Sequence, residues 1–208
     1  RLPETRSSRL TARTRREPVP WVAAGDAATN SLGQSMASLN GKLLRIRPNA
    51  EGGYSVPTDN VFLAQAEIRP EIHAAGLRNP FRMTWRPAEQ AFYLIDLGFG
   101  AWEEINRVTA GANYGWAVRE GPCPYNVRDV DCPPAPPTYT DPVVAYPHPP
   151  EGGAGITALA FYSGTVWPEQ YQGLLFFADF NSRSISMVSL DDPKNILPFG
   201  SEVGHLVD

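Results

Sequence analysis

A chain of 208 residues with 42% hydrophobic and 11% aromatic content is long enough to bury a core and too apolar to stay disordered. Its 18 Gly and 21 Pro exclude a helical bundle, because both residues break helices, and point instead to many short strands joined by turns. A net charge of −4 gives no footprint for nucleic acid, and no apolar run approaches the roughly 20 residues of a membrane span.

The basic residues are 16 Arg and 2 Lys, and six of the arginines fall within the first 16 residues. Residues 1–20 lack apolar periodicity and the apolar stretch of a signal peptide, so they are expected to form a disordered arginine-rich segment. The folded part is then 21–208.

Three segments in that part repeat one pattern. Trp21-Val-Ala-Ala-Gly-Asp26 is followed by a polar loop and Lys42-Leu-Leu-Arg-Ile46. Phe92-Tyr-Leu-Ile-Asp96 is followed by a glycine-rich loop and Glu104-Ile-Asn-Arg-Val108. Leu174-Leu-Phe-Phe-Ala-Asp179 is followed by a short loop and Ser184-Ile-Ser-Met-Val188. Each reads as an apolar strand ending in Asp, then a strand of alternating polarity. Arg82–Arg86 and Thr157–Tyr162 supply a preceding strand for the second and third copies. Sheets of three or four strands cannot bury both faces alone, and stacking them in sequence around an axis gives a β-propeller. A β-sandwich is the rival, but it does not explain the recurring Asp.

Asp26, Asp96 and Asp179 are expected at one mouth of the propeller axis. The alternative is that each Asp starts a turn through its side chain, which we take for Asp179. Arg78 and Asn79 precede Pro80, which holds Asn79 extended and projects Arg78 toward a pocket for an oxyanion or carboxylate; a surface turn with an exposed Arg is the alternative. Gly98 and Gly100, followed by Glu103 and Glu104, make an oxygen-rich loop suited to a hard cation such as calcium. Cys123 and Cys132 lie in a Pro-rich loop with no second Cys or His pair for zinc. They are either a disulfide, which we take and which fits an oxidising compartment, or two free thiols.

The chain resembles the glucose/sorbosone dehydrogenase family of secreted or periplasmic six-bladed β-propellers, many of which oxidise sugars with pyrroloquinoline quinone (PQQ) and calcium. The resemblance rests on Gly25-Asp26, Asn40-Gly-Lys-Leu-Leu-Arg-Ile46, Gly76-Leu-Arg-Asn-Pro80 and Trp102-Glu-Glu-Ile-Asn106. Asn113-Tyr-Gly-Trp116, Arg119-Glu-Gly-Pro-Cys123 and Gly173-Leu-Leu-Phe-Phe-Ala-Asp179 complete it. It implies that Asp26 supports a catalytic histidine and that Arg78 and Asn79 lie against the quinone. Gly98 and Phe99 would offer carbonyls to one calcium. Glu104 and the backbone of Tyr114 would hold a second. It also implies a secreted, extracellular or periplasmic protein acting on a sugar.

The departures from the family pattern are specific. The base histidine expected upstream of Gly25 has no counterpart, since His73, His148 and His205 lie elsewhere. Without it, general-base assistance of about 10²–10⁴-fold is missing. An Arg-x-Arg-Asp is replaced by His205-Leu206-Val207-Asp208, and a lysine after Gly164 by Thr165 or Val166. About half of the propeller ring is expected in this chain, with open edges that favour self-association. A non-catalytic carbohydrate- or protein-binding module is the alternative function.

Overall fold

The computed structural model describes residues 20–129, 131–150 and 153–206. The expected disordered segment falls almost wholly on residues 1–19, outside the described residues, as do Val207 and Asp208.

Three antiparallel sheets follow one another along the chain. The first contains β1 (Trp21–Ala24) and β2 (Lys42–Arg45), then a small ribbon of β3 (Arg47–Pro48) and β4 (Tyr54–Ser55), and is completed by β5 (Ile72–Ala75). Its strand order is β1-β2-β5. The second contains β6 (Pro80–Arg86), β7 (Ala91–Asp96) and β8 (Trp102–Arg107). A long insertion bearing the ribbon β9 (Arg119–Glu120) and β10 (Cys123–Pro124) precedes its outer strand β11 (Val144–Pro147). The third is the meander β12 (Ile156–Phe161), β13 (Leu175–Asp179), β14 (Ser184–Ser189) and β15 (Asp192–Gly200).

The apolar strands are continuous because they are buried on both faces. Side chains alternate along a strand, so Tyr93 and Ile95 of β7 face one way and Leu94 the other. Tyr93 and Ile95 pack with Ile105, Val144 and the third sheet's Ile156, Leu175, Phe177 and Val188. Leu94 packs with Leu43, Ala74, Leu77, Ala112 and Tyr114 on the side of the first sheet. Each such burial contributes about 1.5–3 kcal/mol. The inner strands β6 and β12 lie side by side, as do the outer strands β11 and β15. This is the stacking of consecutive propeller blades, not the two facing sheets of a sandwich, and among the described residues no sheet closes on itself. On the far side of the third sheet, Phe176, Met187 and Leu197 sit in one register row and remain partly exposed.

Cys123 and Cys132 are joined in a disulfide with Cα atoms 5.2 Å apart. The bridge forms a small core with Ala101, Trp102 and Ala145. It anchors the insertion against the loop that follows β7.

Candidate functional site

The three strand-end aspartates are buried, and each binds backbone. Asp179 accepts the N–H groups of Asn181 (3.0 Å) and Ser182 (2.9 Å) through Oδ1, and the Gly155 N–H (2.9 Å) and the Tyr146 O–H (2.8 Å) through Oδ2. It is a turn former. Asp96 accepts the N–H groups of Arg78 (2.8 Å) and Asn79 (2.6 Å), so it pins the segment that enters β6. Burial raises its carboxyl well above the usual aspartate range, and the nearby Glu104 charge adds to the rise. Asp26 accepts Ala28 N–H at 2.9 Å and the Trp116 indole N–H at 2.7 Å. Its own N–H donates to the Arg78 carbonyl at 2.8 Å.

These contacts bring Asp26, Arg78 and Asn79 together around an open cavity of about 420 Å³, lined also by Gly25, Ala27 and Ala28. Gly25 is confined here: a Cβ on it would lie 3.2 Å from the Arg78 carbonyl. Arg78 reaches from this cavity to the loop after β7, where its Nη1 donates to the carbonyls of Leu97 (3.0 Å) and Gly98 (2.7 Å). The guanidinium also lies over the rings of Phe99 and Trp116, at 5.4 and 5.8 Å. Phe99 is 58% exposed, so its side chain faces solvent beside the cleft. Trp116 and Glu120 stand in the motifs Asn113–Trp116 and Arg119–Cys123, but no local pattern marks either for a role. Trp116 orients Asp26, and Glu120 Oε1 gathers backbone N–H groups from Phe99 to Trp102.

Beneath this loop lies a second set of carboxylates. Glu104 accepts Gly121 N–H at 2.5 Å and the Asn106 side-chain amide at 3.0 Å. Burial pushes its carboxyl up to about 7 against those two bonds, and Glu120 and Glu103 push it in the same direction as burial. Glu103 pairs with His148 at 2.8 Å, both buried. Tyr114 is buried, with its hydroxyl donating to the Arg107 carbonyl at 2.7 Å.

The residues present fit the two expected groups unequally. Asn106 Oδ1 and Glu120 Oε2 are buried oxygens without a hydrogen-bond partner in the neighbourhood of Glu104. Such orphaned oxygens suit a hard cation. Among the described residues no three His, Cys, Asp or Glu side chains form a metal cluster, so a cation there needs backbone or amide oxygens as well. The cleft does not fit PQQ by itself. Arg78 is the one cation among the cavity residues, it is spent partly on two carbonyls, and a tricarboxylate would also face Asp26. None of the three histidines lines the cavity: His73 stacks edge-on against Trp21, His148 binds Glu103, and His205 contacts the Phe180 carbonyl. Val166 is 89% exposed in the connection between β12 and β13 and does not line it either.

Stacked three- and four-stranded antiparallel sheets with a polar cleft at their strand ends define a segment of a β-propeller. The profile described as Glucose / Sorbosone dehydrogenase matches residues 3–200, and the chain belongs to that family. HIPL2 protein of Arabidopsis thaliana is 31% identical over 206 residues, covering 84% of this chain and 29% of the relative. Aldose sugar dehydrogenase YliI of Escherichia coli (strain K12) is 27% identical over 178 residues, covering 84% of this chain and 45% of the relative. A solved glucose dehydrogenase structure matches with a TM-score of 0.70 at 25% identity, over 88% of this chain and 51% of that one. The PQQ-bound form of Aldose Sugar Dehydrogenase (Adh) from Streptomyces coelicolor shares the fold, with a TM-score of 0.63 at 20% identity, over 89% of this chain and 47% of that one. The chain thus spans less than half the length of these curated relatives and about half of the solved structures. Among the described residues no helix is long and apolar enough to cross a membrane.

Proposed function

We propose that this chain is the cleft-bearing segment of a secreted or periplasmic sugar dehydrogenase-like propeller, in which a quinone held by the whole protein would accept the electrons from a sugar hydroxyl. The observation that carries this is the cavity that collects Asp26 from the loop after β1 and Arg78 and Asn79 from the loop before β6. The disulfide supports the oxidising compartment.

A sugar presents alternating hydroxyl donors and acceptors. Asp26 keeps lone pairs beyond its two internal bonds and accepts from a hydroxyl. Arg78 has N–H groups beyond those given to Leu97 and Gly98, and Asn79 is exposed and offers both donor and acceptor. These residues account for binding and orienting a polyol. The quinone, when bound in the whole protein, supplies the two-electron acceptor. Glu104, with Asn106, Glu120 and the backbone of Tyr114, is the proposed calcium site, and its role is structural.

A second reading is favoured by one observation: no imidazole among the described residues lines the cleft, so the histidine base expected from the family pattern is not there. On that reading the segment is a binding module for carbohydrate or protein, and its uncovered third-sheet face mediates self-association. Dye-linked sugar oxidation with added PQQ and calcium separates the two. Turnover by the whole protein, lost in Asp26→Ala, supports the dehydrogenase. Sugar binding without turnover supports a carbohydrate-binding module, and neither binding nor turnover removes the dehydrogenase and the carbohydrate-binding readings.

A further inference from the structure

The loop from Leu97 to Trp102 has its two sides satisfied by opposite charges. On one side, Glu120 Oε1 accepts the N–H groups of Phe99 (2.7 Å), Gly100 (2.9 Å), Ala101 (2.9 Å) and Trp102 (3.3 Å). Glu103 accepts the N–H of Gly98 at 3.3 Å. Both carboxylates are 1% exposed. Consecutive N–H groups aimed at one point form a nest for an anion. In a trans peptide the C=O points opposite to the N–H, so the loop turns carbonyls toward its other side. There Arg78 Nη1 bridges the carbonyls of Leu97 and Gly98, at 3.0 and 2.7 Å.

We propose that Arg78 is the resident cation of this carbonyl cradle, so that the loop expected to hold a calcium ion through Gly98 and Phe99 is closed by a guanidinium instead. One nitrogen serves both oxygens, within the distance range of hydrogen bonds from a charged donor. Phe99 and Trp116 form an aromatic seat for the same group. The loop has little slack to open, because a Cβ on Gly98 would lie 1.7 Å from the Trp102 carbonyl oxygen. A divalent ion entering here must displace Arg78 from these oxygens and then sit beside its tethered positive charge. Glu120 acts as a positioning residue, holding the nest that aims the carbonyls.

The test is hydrogen exchange of the 208-residue chain, followed by mass spectrometry over the amides of Phe99 to Trp102. Calcium is added in the Glu104→Gln background, which removes the separate site proposed beneath the loop. The loop amides should exchange slowly in chelator and change by less than about twofold in millimolar calcium. In Arg78→Ala they should exchange about tenfold faster or more, and millimolar methylguanidinium should restore much of the protection. Several-fold slowing by calcium with Arg78 in place would overturn the proposal. So would Arg78→Ala exchanging at the wild-type rate in chelator. The calcium arm needs no change at Arg78, so it decides the matter even where Arg78→Ala does not fold.

Discussion

Gly98→Ala, set against Gly100→Ala, is a sharp test of the packing that shapes the cleft. A Cβ at Gly98 would lie 1.7 Å from the Trp102 carbonyl oxygen, 2.8 Å from its carbonyl carbon and 2.9 Å from Glu120 Oε1. Two of these atoms are backbone, and the third already holds four N–H groups, so nothing at the contact can swing aside. Relief requires the Trp102 peptide to move by more than an ångström. That movement breaks the Ala101 and Trp102 bonds to Glu120 and shifts the Gly98 carbonyl away from Arg78. Hydrogen bonds to charged groups are worth about 1.5–3 kcal/mol each. Losing two of them costs about 3–6 kcal/mol, a large part of the ~5–15 kcal/mol that stabilises a domain. At Gly100 nothing lies within 4 Å of the same added atom, so Gly100→Ala should change stability by less than about 0.5 kcal/mol. Urea unfolding followed by tryptophan fluorescence reads both variants. Equal losses at the two positions, or a Gly98→Ala protein as stable as the wild type, would refute the reasoning.

Lys42 is fully buried, and its Nζ donates to the carbonyls of Leu32 (2.7 Å), Gly33 (2.8 Å) and Asn40 (2.8 Å). Lys42→Met should leave three carbonyls without that donor and cost about 2–4 kcal/mol in thermal unfolding, with the loss centred on residues 32–41. His73 is held down to about 4 from 6.5, by burial first and by the charge of Arg45 second. The unfolded chain therefore takes up this proton before the folded one does. The associated stability is complete above pH 6.5 and is lost as pH falls toward 4. Denaturant midpoints from pH 7 to 4 should fall less steeply in His73→Phe than in the wild type. If Glu104 and its neighbours hold calcium, a chelator should lower the unfolding temperature of the wild type and leave that of Glu104→Gln unchanged; superimposable wild-type curves would remove the site.

Much of the architecture was legible because propeller strands leave a strong mark. β7 is buried on both faces and β13 on one, with Phe176 on its other face partly exposed, so both read as unbroken apolar runs, and each ends at an aspartate with a fixed backbone duty. The outer strands were harder. β15 has the sequence Asp-Pro-Lys-Asn-Ile-Leu-Pro-Phe-Gly, is largely exposed, and carries no alternation that would mark it. β3 and β9 are two-residue strands with nothing to read.

The site divided in the same way. Arg78, Asn79 and Asp26 were found because the Pro80 constraint and the Gly-Asp turn are local. Their partners were missed because they are distant: Trp116 Nε1 reaches Asp26 across 90 positions, and Glu120 reaches Phe99 across 21. The oxygen-rich character of the Gly98 loop was also legible. The group that fills its carbonyls was not, because Arg78 lies 20 positions away on another loop.

The central claim is that the cleft formed by Asp26, Arg78 and Asn79 binds a sugar. Trp116 touches both Asp26 and the Arg78 guanidinium, so its emission reports on that cleft. Titration of the folded chain with an aldose should give a saturable change in tryptophan fluorescence that is lost in Asp26→Ala and weakened in Arg78→Ala. A folded chain that shows no saturable change, or one whose response survives in both variants, would contradict it.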